Sequence, residues 1–287
     1  MPHGGTAPPR PGYLLRQYSC SLGSDSIGAS RHREAGRYGA GRIRAVTPQA
    51  DKTFISPDAT ALARHLAQDL AHHIQVQAER RSDETPVEIA IAGGFVATHV
   101  LPALGEEGQG VDWSKVRFWW CDERFVPAGH PDRNDEEARR HLLDHLDGVR
   151  FIPMPSDEGQ GLPTACVEFT EQWKTLMATR SLDVVVLGMG PDGHIASLFP
   201  GMYSPEESQA IVSVEDSPKP PPQRLSLSMP VILAAQRIYL AAAGEAKSEI
   251  LGQAFTTDVD IRDCPVAALR QRSDCRWYLD EASASQL

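Results

Sequence analysis

Short apolar runs at residues 87–92, 116–121, 182–187 and 237–243 recur along the chain, with helical periodicity between several of them. Runs of this length suit strands, and a strand that is apolar throughout is buried on both faces. Helical spacing covers residues 61–78, after Ser56-Pro57-Asp58 as a start signal, and residues 164–179. Asn134-Asp135 is placed to cap a further helix, with Glu136 and Glu137 in its favourable first turn. Strands alternating with helices predict an α/β fold, a mainly parallel sheet covered on both faces in three layers, α/β/α. Ligands of such sheets bind beyond the carboxyl ends of the strands. The residues after each apolar run are therefore where chemistry is sought.

Composition narrows the partners. The net charge of −10 argues against a general nucleic-acid binder, which presents a basic face. No apolar run approaches the roughly 18 residues that cross a bilayer. Neither nucleic acid nor membrane is an expected partner, and a small molecule is. Five cysteines (Cys20, Cys121, Cys166, Cys264 and Cys275), odd in number and with no CxxC pair, suit a reducing compartment, so a cytoplasmic location is expected. His141 and His145 lie four apart on an expected helix and could reach one metal ion. No glutamate stands between them and no third ligand is evident, so a solvated helix face is the reading and no metal is expected. Residues 1–45 hold seven Arg, no Lys and two acidic residues. That profile could be a transit peptide, but a disordered extension is the reading adopted, with 46–287 as a single domain.

Four segments could carry chemistry. Leu187-Gly188-Met189-Gly190-Pro191-Asp192-Gly193-His194 literally contains the GxGxxG spacing of a dinucleotide site. That fingerprint needs a long helix after the glycines, and Pro200-Gly201 ends any helix within two turns. The glycines instead let the backbone turn tightly, presenting Asp192 and His194 at the rim of the sheet. A loop histidine is ordinarily a surface residue; one after a buried strand, among glycines and beside an acid, is a candidate catalytic base. Ala92-Gly93-Gly94 is either a plain strand-to-helix turn or an anion site made of free backbone N–H groups. Arg224 opens an alternating run, and Lys247 follows Gly244 in the first turn of a helix, where a cation is mildly unfavourable unless an anion binds. Asp122-Glu123-Arg124 crowds three charges at the same rim, which by itself reads as a solvated loop with internal ion pairs.

Taken together these segments resemble a known family. The stretch Trp119-Trp120-Cys121-Asp122-Glu123-Arg124-Phe125-Val126-Pro127 is similar to the W-x-DER-x-VP stretch of 6-phosphogluconolactonases. Residues 187–201, LGMGPDGHIASLFPG, resemble that family's most specific signature. Arg224-Leu225-Ser226-Leu227-Ser228 and Gly244-Glu245-Ala246-Lys247 match its later motifs in order and spacing, over about residues 50–280. The resemblance implies a Rossmann-like sheet and hydrolysis of 6-phosphogluconolactone to 6-phosphogluconate in the oxidative pentose phosphate pathway, without metal or organic cofactor. It implies His194 as general base, with Asp192 orienting or tuning it. Gly93, Gly94, Arg224 and Lys247 would hold the phosphate, and Arg124 would contact the sugar or the developing oxyanion. Asp122, Glu123, Asn134, Gly190 and Gly193 are further candidates. A monomer is expected.

Two departures stand out. The family's glycine loop carries hydroxyl side chains, as in SGGSTP, where this chain has Ala92-Gly93-Gly94-Phe95-Val96-Ala97. The usual D-S-N after the DER stretch is Asp132-Arg133-Asn134, in which Arg133 either adds a phosphate contact or faces water. The nearest rivals are a hexosamine-6-phosphate isomerase or deaminase on the same fold and a non-catalytic phosphosugar-binding protein. The isomerases and deaminases usually have Tyr where Arg124 stands and Asn-Glu-Pro where this chain has Leu198-Phe199-Pro200.

Overall fold

Apolar runs with β-branched residues make the centre of the molecule. In the computed structural model, which describes residues 42–43, 48, 51–82, 84–256 and 258–287, the strands are β1 (Arg42–Ile43), β2 (Thr53–Ser56), β3 (Val87–Ile91), β4 (Val116–Trp120), β5 (Asp122–Arg124), β6 (Arg150–Phe151), β7 (Val184–Gly188), β8 (Ile211–Val214), β9 (Arg224–Leu227), β10 (Arg237–Ala242), β11 (Val259–Asp260) and β12 (Cys275–Asp280). The α-helices are α1 (Ala59–Ala78), α2 (Leu101–Glu107), α3 (Asn134–His141), α4 (Leu162–Met177), α5 (Met229–Ala234) and α6 (Ser248–Thr256).

Seven strands form one wholly parallel sheet in the order β2-β12-β10-β7-β3-β4-β6. Val184, Val185, Val186 and Leu187 of β7 have no exposed surface, as a strand covered on both faces requires. The chain runs outward from β3 through β4 to β6, returns to β7 beside β3, and runs outward the other way through β10 to β12. The reversal between β3 and β7 opens a crevice at their carboxyl ends, where ligands of doubly wound sheets bind.

Helix α1 starts where the sequence signals: the Asp58 carboxylate accepts from the Ala61 N–H at 2.8 Å. Its buried stripe, Leu62, Leu66, Leu70 and Ile74, recurs at four-residue spacing and packs on β2, β10 and β12. Truncating one of these leucines to alanine costs about 2–5 kcal/mol.

Three expectations are corrected. Asp122-Glu123-Arg124 is not a solvated loop. After Cys121 the chain pairs again as β5, antiparallel to β9, with Asp122 opposite Ser226 and Arg124 opposite Arg224 in a three-stranded sheet β5-β9-β8. Pairing on that side buries Asp122 and Glu123. For the same reason β9, central in this sheet, is buried at all four positions rather than alternately. Finally, α3 ends at His141, and His145 lies in the next short turn, so the two histidines do not share a helix face. Of the extension expected over residues 1–45, Arg42 and Ile43 pair with Asp260 and Val259; the remainder lies outside the described residues. Among the described residues no helix is long and apolar enough to cross a membrane.

Candidate active site

Four strand ends converge on one cleft of about 340 Å³, lined among others by Gly93, Arg124, His194, Lys219, Arg224 and Lys247. From β3 the chain enters the turn Ala92-Gly93-Gly94, and Gly94 is left-handed at φ +59°, a conformation that costs a side chain roughly 1–2 kcal/mol. A wide helical turn, Val96–Val100, follows and continues into α2. The chain thus presents a helix N-terminus to the cleft. A side chain at Gly93 would overlap the Asn134 carboxamide. Phe95, which replaces the family's hydroxyl, stacks on His99 with ring centroids 4.6 Å apart.

The β5 side is built on a buried carboxylate. Glu123, with no exposed surface, accepts the backbone N–H groups of Arg124 at 2.7 Å, Asn134 at 2.7 Å and Asp135 at 2.9 Å. It caps α3, a role expected of Asn134-Asp135; Asn134 is instead the first helical residue, and its Nδ2 donates to the Asp122 carbonyl at 2.8 Å. Burial pushes the Glu123 carboxyl up to about 8, against the pull of Arg133 and the N–H groups. Arg133 neither reaches the cleft nor faces water. It is buried, forked onto Asp135 at 2.7 and 3.0 Å, and donates to the Met154 carbonyl at 2.7 Å. Asp122 accepts the Ser197 hydroxyl at 2.6 Å and stands 4.0 Å from Arg224 Nη1. Arg124 donates to the Asp132 carbonyl at 2.6 Å and lines the cleft.

Beyond β7 the loop closes tightly, with Gly190 N–H on the His194 carbonyl at 2.9 Å and Gly193 N–H on the Gly190 carbonyl at 3.1 Å. A side chain at Gly190 would occupy the space of the His194 ring and the Asp192 carboxylate. Gly193 is left-handed at φ +81° and packs over Ile250. No long helix follows, so the dinucleotide fingerprint is absent. His194 Nδ1 hydrogen-bonds Asp192 Oδ1. An ionised carboxylate only accepts, so Nδ1 carries the hydrogen and Nε2 keeps its lone pair. Phe199 packs on the ring at 4.7 Å. Burial holds the imidazole below its ordinary value and Lys219 adds to this, while Asp192 and Asp122 pull the other way. For Asp192, burial works upward, but its bond to His194 and the nearby charges leave the carboxyl below its usual range.

Of the candidates read from the sequence, Gly93, Gly94, Asp122, Arg124, Asn134, His194, Arg224 and Lys247 line the cleft; Asp192, Gly190 and Gly193 shape the loop that holds His194, and Glu123 acts one layer back. The structure adds two that were missed. Ser197 anchors Asp122. Lys219, between β8 and β9, places Nζ 3.5 Å from His194 Nδ1 and 4.0 Å from Asp192 Oδ1. The signal for it is a single lysine among Pro218, Pro220, Pro221 and Pro222, a backbone too constrained for helix or inner strand. Arg224 holds this segment: its Nε donates to the Pro221 carbonyl at 3.2 Å, and its Nη2 to those of Lys219 at 3.0 Å and Pro220 at 3.3 Å. The side chain of half-buried Lys247 makes no hydrogen bond or ion pair among the described residues. Burial lowers its ammonium, as does the charge of Lys219.

A switch-point crevice that joins an aspartate-oriented histidine to several cations on an otherwise acidic chain is that of an α/β enzyme for an anionic small molecule. The chain belongs to the family described as glucosamine-6-phosphate isomerases/6-phosphogluconolactonase, whose model matches residues 57–277. It is 37% identical over 228 residues to a 6-phosphogluconolactonase of Streptomyces coelicolor, covering 75% of this chain and 85% of that one. A 6-phosphogluconolactonase from Shewanella baltica superposes with a TM-score of 0.69 at 25% identity, over 84% of this chain and 99% of the other. A monomeric glucosamine-6-phosphate deaminase does so with 0.69 at 18% identity, over 82% and 100%. Equal scores for two activities mean that the backbone does not separate them; the side chains must.

Proposed function

We propose that the chain hydrolyses 6-phosphoglucono-1,5-lactone to 6-phosphogluconate, as in the oxidative pentose phosphate pathway, with His194 as general base. The observation that carries this reading is the Asp192–His194 bond at the cleft, which fixes the tautomer that leaves Nε2 free. Water attacks the lactone carbonyl carbon as Nε2 takes its proton, and the carbonyl electron pair moves onto oxygen. The tetrahedral oxyanion then collapses, the bond from that carbon to the ring oxygen breaks, and the ring oxygen takes the proton back from His194 as a hydroxyl. The new carboxylic acid ionises to solvent. Arg124, reaching the same cleft, is placed to meet the oxyanion or a sugar hydroxyl. The phosphate is held by the N–H groups after Gly93-Gly94, by Lys247, and by Arg224 Nη1, since the other nitrogens of that guanidinium serve carbonyls.

The wall opposite favours a lactonase over a deaminase. Phe199 stands over His194, with the Arg224 guanidinium 5.8 Å above its ring, where the rival carries a carboxylate. The test is turnover of freshly prepared 6-phosphogluconolactone, corrected for spontaneous hydrolysis, beside ammonia release from glucosamine-6-phosphate. Lactone turnover without ammonia is expected. Ammonia release would establish the deaminase, and tight 6-phosphogluconate binding without turnover a binding protein.

A further inference from the structure

Lys219 is unaccounted for by the proton transfers above, yet it is the cation nearest the base. It does not point at Nε2. It stands on the Nδ1 side of the ring, 3.5 Å from that nitrogen and 4.0 Å from the same Asp192 oxygen that His194 uses. Nδ1 already carries a hydrogen for Asp192, so it has no lone pair left to accept from the ammonium, whose attraction is to the carboxylate. Its position is fixed by neighbouring prolines and by the three carbonyls that Arg224 gathers.

We propose that Lys219 is a positioning residue that acts through the Asp192–His194 pair, sharing the carboxylate with the imidazole and so holding the ring as a free base. A histidine with an aspartate as its only neighbour would gain a proton too readily and rest as an imidazolium, useless for taking a proton from water. A cation beside the same oxygen offsets that pull. The charged groups facing the ring are Asp192 from its own loop, Asp122 from β5 and Lys219 from the β8–β9 segment, with uncharged Phe199 packed on it. Lys219 is the cation in this set. Its side chain is 44% exposed, so it can be changed without opening the core.

This inference rests on His194 being the base, and two readouts keep the ideas apart. One is the titration of the His194 ring by NMR in the intact protein, assigned against His194→Ala. The other is the pH profile of kcat/KM with 6-phosphogluconolactone. In Lys219→Met both the ring titration and the acid limb should move up by about 0.5–1 pH unit, the size expected of one solvent-screened charge near 4 Å. At a pH on that limb kcat/KM should fall about three- to tenfold, the high-pH plateau should change little, and Lys219→Arg should restore the wild-type profile. If the ring titrates as in wild type while KM rises at every pH, Lys219 is a phosphate contact and the proposal is wrong. An unmoved titration with unmoved kinetics overturns it equally. If the titration moves and the acid limb does not follow, the coupling to Lys219 stands and His194 is not the base.

Discussion

Two histidines in this molecule draw on the same chemical inventory and end differently. His194, at the cleft, has a carboxylate and a cation beside it. So does His73, on α1 where that helix packs on β10 and β12: Asp69 stands one turn away and Arg237 Nη1 lies 3.2 Å from its Nδ1. Burial, followed by the Arg237 charge, lowers His73 to about 4. Burial lowers His194 too. The difference lies in the partner of Nδ1. A guanidinium only donates, so His73 Nδ1 spends its lone pair on Arg237 and its hydrogen sits on Nε2. Asp69 meanwhile is taken up by Arg276 and Tyr278. At His194, which lines the cleft, a carboxylate holds Nδ1 and the lone pair remains on Nε2. What separates the two rings is neither burial nor a nearby acid but which ring nitrogen is left unused.

Exchanging the two sites should separate activity from stability. His194→Ala should lower turnover by about 10²–10⁴-fold, with stability changed by less than about 1 kcal/mol. His73→Ala should leave turnover per folded molecule unchanged and cost about 1 kcal/mol, because the partly buried Arg237 guanidinium loses an acceptor. Steady-state kinetics and urea unfolding on both variants decide it. A large loss of turnover in the His73 variant would break the contrast.

The next effect tests whether the cleft's cations are open in the same sense as its histidine. The Lys247 ammonium makes no hydrogen bond or ion pair among the described residues, so a bound phosphate would be its first direct contact. Lys247→Ala should weaken 6-phosphogluconate about ten- to hundredfold by calorimetry, the cost of one charge-assisted contact. Gluconate without the phosphate should bind the variant as it binds wild type. Equal binding of 6-phosphogluconate to both forms would show that Lys247 points away from the phosphate.

Legibility in the sequence follows the same division. The parallel sheet was readable because β3, β4 and β10 are apolar but for one charged residue each and β7 has none, and the Asp192-to-His194 loop because its glycines follow the most apolar of them. Asp122-Glu123-Arg124 was misread because a charged triplet takes its burial from a partner strand about a hundred residues later, which periodicity within the triplet cannot reveal. The capping of α3 was misassigned for the same reason: the acceptor is Glu123, 11 residues before Asn134. Lys219 was overlooked because its meaning is entirely spatial, 25 residues from His194 in the chain and 3.5 Å from it in space. Arg133 read as either a phosphate contact or a solvated cation, and neither holds because Asp135 and the Met154 carbonyl enclose it.

The smallest effect is the most direct comparison of the two rings. Both hold fewer protons in the folded state than when unfolded, because burial depresses both. A group of this kind is neutral in both states above the unfolded value of about 6.5, where it adds nothing to the pH dependence. As pH falls below 6.5 the unfolded chain takes up the proton first, so stability declines, and for His73 the decline levels off only below about 4. Allowing for the ring's partial exposure, His73 should remove about 1–2 kcal/mol between pH 6.5 and pH 4. Glutamine can still accept from Arg237 but cannot titrate, so His73→Gln should flatten that slope while keeping the neutral-pH stability within about 1 kcal/mol. His194→Ala should flatten it less, since Asp192 opposes burial at that ring and leaves a smaller depression. Urea midpoints measured every half pH unit for wild type and both variants give the ordering. If the His194 variant flattened the curve more than the His73 variant, the cleft would be the stronger sink of acid stability, and the ring facing Arg237 would not be the one held neutral.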